Sequence, residues 1–449
     1  MQPVNAKPRP ALVAALIETF GFSPWFATLV AGFLLFLGAA ALVWLWLSAP
    51  PRTLTITSGP PGSSFQRNAD LYKKKLAEHG VALNILPSGG SLDNLKRLQS
   101  DSGVDVGFVQ GGVKGESNTT NLVSLGSVSH QPIWIFYRGA KPIALLSDLA
   151  GKRLGIGAPG SGAHILSRAL IEANNIAEPP TVLVEQTSEN AGTDLLAGRL
   201  DAVFLMGDSA PIDTLRALMR DEGIRVYHFT QAEAYVRKFP FLDKIVLPQG
   251  AIDFGKNLPA QDVVTVGPTV ELVARRGFNS ALSDLLLQVA SDDKIHGRAS
   301  IFQKRGEFPA PLVRDFDLSD DALRYYKSGQ GFAHKYIKQF WLASLVNRLL
   351  VAVVPLILVL IPAIRFFPLL YRWSVQLRIY RCYRTLLRFE SDAQGPLDKE
   401  RAQGLLDRLD EIERDVYKLK IPASFAYQFY ALQGDVAFVR SRLRAAVAG

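Results

Sequence analysis

Two long apolar runs bracket a central stretch in which short β-rich runs alternate with amphipathic ones. Residues 25–47 (WFATLVAGFLLFLGAAALVWLWL) carry no charge over 23 positions. At 1.5 Å per residue such a helix crosses the roughly 30 Å hydrocarbon layer of a bilayer. Trp25 at one end and Trp44 and Trp46 at the other suit the two interfaces. The run is longer than the apolar region of a signal peptide, and Leu47-Ser48-Ala49 before Pro50-Pro51 offers no cleavage site, so an uncleaved anchor is expected. Residues 349–364 (LLVAVVPLILVLIPAI) form the second run, with Arg348 and Arg365 placed to reach headgroups. Extended to 371 it reads as a second span, in which Pro355 and Pro362 are better tolerated than in a soluble helix.

Between the runs, strands are expected at 53–57, 82–86 and 104–109, with helices at 64–78 and 91–100. A second series follows: strands at 153–157, 181–185 and 202–205, with helices near 163–173 and 190–197. The β-rich runs 122–137 and 263–274 sit where the chain would pass between two lobes, and a helix at 279–290 would return to the first. The expected fold class is α/β, a two-lobed domain between two transmembrane helices, followed by an α-helical tail. The segments are 1–24 (N-terminal, cytoplasmic), 25–47 (span), 52–339 (bilobal domain), 349–371 (span) and 372–449 (cytoplasmic tail). Lobe 1 takes about 52–130 and 275–339, lobe 2 about 138–262. In such folds a ligand sits beyond the carboxyl ends of the strands, so the loops after strands should line a cleft.

Charge locates the membrane face. The chain of 449 residues has a formal net charge of +9, and residues 340–449 alone hold 16 Lys and Arg against 10 Asp and Glu. Arg372, Arg378, Arg381, Arg384 and Arg388 crowd the far side of the second span, and Lys7 and Arg9 precede the first. Both termini are therefore expected in the cytoplasm, with the bilobal domain in the periplasm or outside the cell. The arginines also suit anionic membrane lipid. Basicity this local gives no nucleic-acid surface. Cys382 is the single cysteine, and the six histidines are scattered, so neither a disulfide nor a metal site is expected.

Four segments carry a family likeness: TSGPPGSSF at 57–65, GSLDNL at 90–95, DLAGKRLGIGAPGSG at 148–162 and GRLDA at 198–202. Together they resemble the TAXI family of TRAP-transporter solute-binding proteins, over about residues 53–310. The resemblance implies the periplasmic-binding-protein (venus-flytrap) fold, a small carboxylate ligand such as glutamate, and a TRAP permease as partner. The spans and tail are similar to a membrane-anchored branch of that family. The first loop departs from the family pattern: Pro60-Pro61 interrupt the glycines, and Phe65 stands where the family has Tyr, removing a hydroxyl donor.

Candidate ligand residues fall in three loops that each open a helix. They are Gly62, Ser63 and Ser64, with Phe65 as an apolar wall; Ser88, Gly89 and Ser91; and Gly160, Ser161 and Gly162. Free N–H groups and the positive end of the helix dipole would hold an anion there, although each serine equally serves as a plain cap. Gln110, ending a strand, and Asn190 complete the set. Gly155-x-Gly157-x-x-Gly160 imitates a dinucleotide fingerprint, but Gly155 lies inside the strand it should follow. No cofactor is expected. Asp292-Asp293 and Asp320-Asp321 read as solvated surface, and no nucleophile, base and orienter can be assembled, so the reading is a binding protein and not an enzyme. Leu405, Leu406, Leu409, Ile412, Val416 and Leu419 make an apolar stripe ended by Pro422, suited to self-packing or to a homo-oligomer. The function expected is capture of a small anionic solute for a transporter, or alternatively sensing relayed to a signalling partner through the tail.

Overall fold

The computed structural model describes residues 10–20, 24–115, 117–292, 295, 302–304, 306–313, 315–337, 339–392, 399–418 and 426–448. Lys7, Arg9, Asp293, Leu419 and Pro422 lie outside the described residues, as do the side chains of Arg365, Arg372, Arg378, Arg388, Ile412 and Val416. The chain divides into two compact units, one made from its two ends and the other spanning Ala49–Asn347.

The N-terminal end supplies α1 (Ala11–Phe20) and α2 (Pro24–Leu47). The central unit begins with β1 (Thr53–Thr57), α3 (Ser64–Glu78), β2 (Ala82–Leu86), α4 (Ser91–Ser100), β3 (Val106–Gln110) and β4 (Leu122–His130). It continues with β5 (Ile133–Arg138), β6 (Arg153–Gly155), α5 (Gly162–Ala173), β7 (Val182–Val184), α6 (Ser188–Leu196), β8 (Ala202–Met206), α7 (Ile212–Arg220), β9 (Ile224–Val226), α8 (Ala232–Lys238) and β10 (Leu242–Leu247). Then come β11 (Val263–Arg275), α9 (Ser280–Ala290), α10 (Asp320–Ser328), α11 (Phe332–Tyr336), α12 (Phe340–Asp392), α13 (Lys399–Lys418) and α14 (Ala426–Ala448).

Two sheets result, so the central unit is mixed α/β with two lobes. The first has the order β10-β11-β3-β1-β2, with β4 also on β11; the second has the order β7-β6-β8-β5-β9. β1 is parallel to β2 and β3, and β6 is parallel to β7 and β8, as strand-helix-strand units require. The β3 run is buried at every position because helices cover both faces of its sheet. On α3, Phe65, Ala69, Tyr72 and Leu76 recur at helical spacing and are buried against Phe108 and Leu54 of the sheet. In lobe 2, Ala163, Leu166, Leu170 and Ile171 of α5 do the same against Leu154 and Phe204.

Two strand passages join the lobes. β4 leaves the first sheet, Gln131-Pro132 turn, and β5 enters the second. β11 pairs with β10 over Val263 to Pro268 and with β3 and β4 from Thr269 onward. These are the runs expected to cross.

The end-built unit takes in the second apolar run and the tail. α12 is one helix of 53 residues, running past Pro355 and Pro362 without a break. Among the described residues its apolar window is Phe340–Leu358, which overlaps the expected span at 349–371. α2 and this window are long and apolar enough to cross a membrane. Arg348 was expected to point at headgroups; its Nη1 donates to Leu45 O at 2.5 Å, at the end of α2. The tail stripe packs within the chain, one of the two uses expected for it. Leu405 and Leu409 of α13 are buried against Leu432, Val436 and Val439 of α14 and Leu386 of α12, with Cys382 packed beside them. Arg440 clamps this intrachain seam by pairing with Asp410 and Glu413.

Leu409→Glu should therefore put an unpaired charge into a closed seam and cost the tail roughly 3–5 kcal/mol of local stability. Limited proteolysis should cut α13 faster, with the thermal unfolding of the Ala49–Asn347 unit unchanged. A drop in oligomeric order with protease resistance intact would put the stripe on an outer surface instead.

Candidate functional site

The three helix starts expected to hold an anion do meet. Each is already satisfied from within. Ser63 caps α3, its Oγ accepting from Gln66 N at 3.2 Å. Ser64 donates across the lobes to Gly207 O, through N at 2.8 Å and Oγ at 2.7 Å. Ser161 caps α5 by accepting from His164 N at 3.1 Å and spends its proton on Ala158 O at 2.7 Å. Ser88 Oγ donates to Ser58 O at 3.0 Å and accepts from Gly90 N at 3.1 Å. Gly89 N donates to Asp93 Oδ2 at 2.9 Å, and Asp93 N donates across the lobes to Gly160 O at 3.1 Å. The hydroxyl protons of Ser64, Ser88 and Ser161 are all spent within the chain, and Ser63 Oγ already accepts as a cap. The anion expected from outside comes from the chain.

That anion is Asp208. Its Oδ2 accepts from Gly162 N, the start of α5, at 2.6 Å, and from Ser91 N, the start of α4, at 3.5 Å; its Oδ1 accepts from Ser209 Oγ at 2.9 Å. One carboxylate thus sits at the positive ends of two helices from opposite lobes. It is fully buried. Burial pushes its pKa up to about 6, while the N–H and hydroxyl bonds pull the other way. Two glycines make the approach possible. Gly90 has φ +125°, and a Cβ there would lie 2.7 Å from Asp208 Oδ2; a Cβ on Gly162 would lie 2.2 Å from the Gln110 amide. Gln131, with its amide oxygen turned to the loop, accepts from Gly207 N at 2.5 Å and Asp208 N at 2.7 Å.

The remaining candidates separate. Ser91 Oγ accepts from Gln110 N at 3.3 Å. Gln110 is buried at the closed face, its Nε2 4.0 Å from Met206 Sδ and its Oε1 without a partner among the described residues. Phe65 is no cleft wall: it is 1% exposed, in the lobe 1 core, with its ring 5.4 Å from that of Phe108. An aromatic at the second position of α3 points to the sheet because the helix's apolar stripe begins there. Asn190 is exposed within α6; Thr187 is the cap, accepting from Asn190 N at 3.4 Å. Gly62, at φ +80°, gives its carbonyl to Arg67 Nη1 at 2.7 Å.

Beside the sealed helix starts lies a cavity of about 400 Å³ between the lobes. Its polar residues include Ser64, Arg67, Asn68, Asp70, His130 and Gln131. Its apolar ones are Leu71, Pro132, Trp134, Ala210, Ile212, Leu215, Ile295 and Phe302. The rings of Trp134 and Phe302 meet at a tilt, with centroids 5.4 Å apart. His130 Nε2 pairs with Glu307 Oε1 at 3.0 Å. Gly207 and Ser64 belong both to this cavity and to the seal. Asp208, Gln131 and the cavity residues other than Ser64 were not candidates in the sequence. Asp208 follows the hydrophobic strand 202–206, so the rule of loops after strands applies to it as well. No described group of histidine, cysteine and carboxylates could hold a metal ion.

Asp208 predicts a pH dependence. A carboxylate raised from 3.8 to about 6 favours the folded form when protonated. Its contribution is fully present below pH about 4 and is lost as the pH rises through 6. Relative to Asp208→Asn, which keeps the shape and an acceptor, the parent should gain roughly 2–3 kcal/mol between pH 7 and pH 4. Thermal unfolding of both proteins across that range measures it; parallel curves would mean that Asp208 is solvated.

Residues 66–287 match the model of the NMT1-like family. The chain is also similar to solved structures at low identity. An ancestral arginine-binding protein bound to arginine is 16% identical, covering 54% of this chain and 93% of that one, with a TM-score of 0.36. The alkanesulfonate-binding protein SsuA from Xanthomonas axonopodis pv. citri bound to MOPS is 14% identical (54% and 73% covered, TM-score 0.35). The periplasmic aliphatic sulphonate binding protein SsuA from Escherichia coli is 15% identical (67% and 75% covered, TM-score 0.35).

Proposed function

We propose that this chain is a membrane-anchored receptor that captures a small anionic solute between its two lobes. The observation that carries the reading is the cavity of about 400 Å³, bounded by both lobes and by the Ser129 to Pro132 passage that joins them. Its size is that of a small-molecule site, and its few polar groups sit around an apolar body. Two lobes joined by two strand passages can change their separation without disturbing either core. The match to the NMT1-like family model over the central unit accords with this reading.

The finer assignment belongs to the same proposal. The receptor is of the TAXI type, is held in the cytoplasmic membrane by α2 and the first part of α12 with both termini inside, and delivers its solute to a TRAP-type permease. The four motif segments and the two apolar helices support it. A second reading is favoured by one observation: α12 runs unbroken from Phe340 to Asp392, where Leu386 enters the tail cluster. A continuous helix of that kind suits a sensor that relays solute binding to a partner through the tail.

Mass spectrometry of small molecules released from the full chain, purified in detergent, tests the reading. A solute in near-equal molar amount should be found. It should vanish from Leu215→Trp, which fills the cavity, provided that the variant unfolds at a similar temperature. Equal retention by the parent and by a well-folded Leu215→Trp would place the site elsewhere, and a parent that retains and binds no small molecule would end the receptor reading. Co-purification of a multi-span permease separates transport from sensing.

A further inference from the structure

The seat that two helix starts make for an anion is taken by Asp208, and this constrains the solute. A second carboxylate brought there would lie against a buried carboxylate that already uses Gly162 N and Ser91 N. The hydroxyls of Ser88 and Ser161 are bonded elsewhere. The charged group of the solute therefore has to be read by another cation of the cavity, and its body has to fill an apolar space.

We infer that the solute is a monocarboxylate with an apolar or aromatic body, its carboxylate held at Arg67 and its body between Trp134, Leu215 and Phe302. The inference rests on the receptor reading above and narrows the ligand of the same cavity. Arg67 lies on the first turn of α3, where the helix dipole adds to its charge. Of its five N–H groups, one is bonded, to Gly62 O; the others make no hydrogen bond among the described residues. Arg216 is close enough to Arg67 for the two charges to oppose each other, and Asp213, which supports Arg67, is already 3.6 Å from Arg216 Nη1. An anion held at Arg67 relieves that repulsion. The guanidinium fork matches a carboxylate with two parallel bonds.

Groups of the opposite sign are accounted for. Asp70, one turn further along α3, is exposed at the same mouth, and Glu307 is paired with His130. A solute carrying an ammonium would choose Asp70, so charge reversal at constant shape is the discriminating comparison. The body is set by Leu71, Pro132, Trp134, Ala210, Ile212 and Leu215, which offer no hydrogen bond from their side chains into the space except the indole N–H. A second carboxylate on the solute, as in glutamate, would find no partner among Leu71, Pro132, Ala210, Ile212 and Leu215.

Calorimetry on the full chain in lipid nanodiscs, with empty discs subtracted, tests this with three probes. Phenylacetate carries a carboxylate on an aromatic body, phenethylamine carries an ammonium on the same body, and glutamate has two carboxylates and no apolar body. Phenylacetate should bind best, and Arg67→Met should weaken it about 5- to 50-fold, the range for one to two charge-assisted bonds at a partly exposed site. Arg67→Met should leave phenethylamine unchanged or improve it. Arg67 is exposed, so this variant should unfold like the parent, and Arg67→Lys should restore part of the loss. The inference is overturned if glutamate or phenethylamine binds more tightly than phenylacetate, if phenylacetate does not bind, or if Arg67→Met binds phenylacetate as the parent does. Such a result with a native solute still lost from Leu215→Trp would sink the ligand class alone. Retention unaffected by Leu215→Trp would sink the receptor reading with it.

Discussion

A single buried carboxylate joins the two lobes. Asp208 accepts from the start of α5 in its own lobe and from the start of α4 in the other, and the loop that carries it gives Gly207 O to Ser64 and takes Gln131 as its own acceptor. Helices of 12 and 10 residues both end their dipoles on it. In water a surface ion pair contributes little, but here the donors are fixed backbone N–H groups and the acceptor is dry, so both the bonds and the cost of removing them are larger. The glycines at 90 and 162 exist in this arrangement because a side chain at either would occupy the space of Asp208 or Gln110.

The same contact explains why the site differs from a simple anion seat. A receptor that leaves helix starts free closes when an outside anion bridges them. This chain brings its own bridge, and the space left between the lobes is the apolar cavity next to it. Because Ser64 and Gly207 belong to both, filling the cavity and making the seal are linked, and each should change the other by the same free energy. Burial of the carboxylate and the orphaned Gln110 Oε1 keep the seal from being very stable. A closed form of modest stability is what a solute can shift.

Much of the fold was legible. β1 and β2 fall on the expected residues because their flanking turns carry Pro, Gly and Ser, and their alternation with amphipathic helices fixes an α/β order. The crossings were legible too, since runs as long as 122–137 and 263–274 exceed a single strand of one small sheet. Expected β3 slipped by a residue or two because Val104 packs as core just before the strand begins. The helix starts were found from their serines, but a cap and a ligand donor look alike in sequence; only the partners of each hydroxyl distinguish them. Asp208 was missed because an acidic residue after a strand reads as surface, and its burial depends on helices that begin 117 and 46 residues away. The cavity residues come from five separate stretches of chain and have no local signature. In the tail, the apolar stripe was visible, whereas its partner was a matter of how α12 and α14 return to it.

The distance between the lobes reports whether Asp208 closes the cleft. Spin labels at Lys96→Cys on α4 and Glu172→Cys on α5, both exposed, would be placed in a Cys382→Ser background. Pulsed electron resonance on solute-free protein at pH 7.5 should give one narrow distance, and Asp208→Ala should lengthen and broaden it. An equally narrow distribution at the same distance in Asp208→Ala would contradict the account.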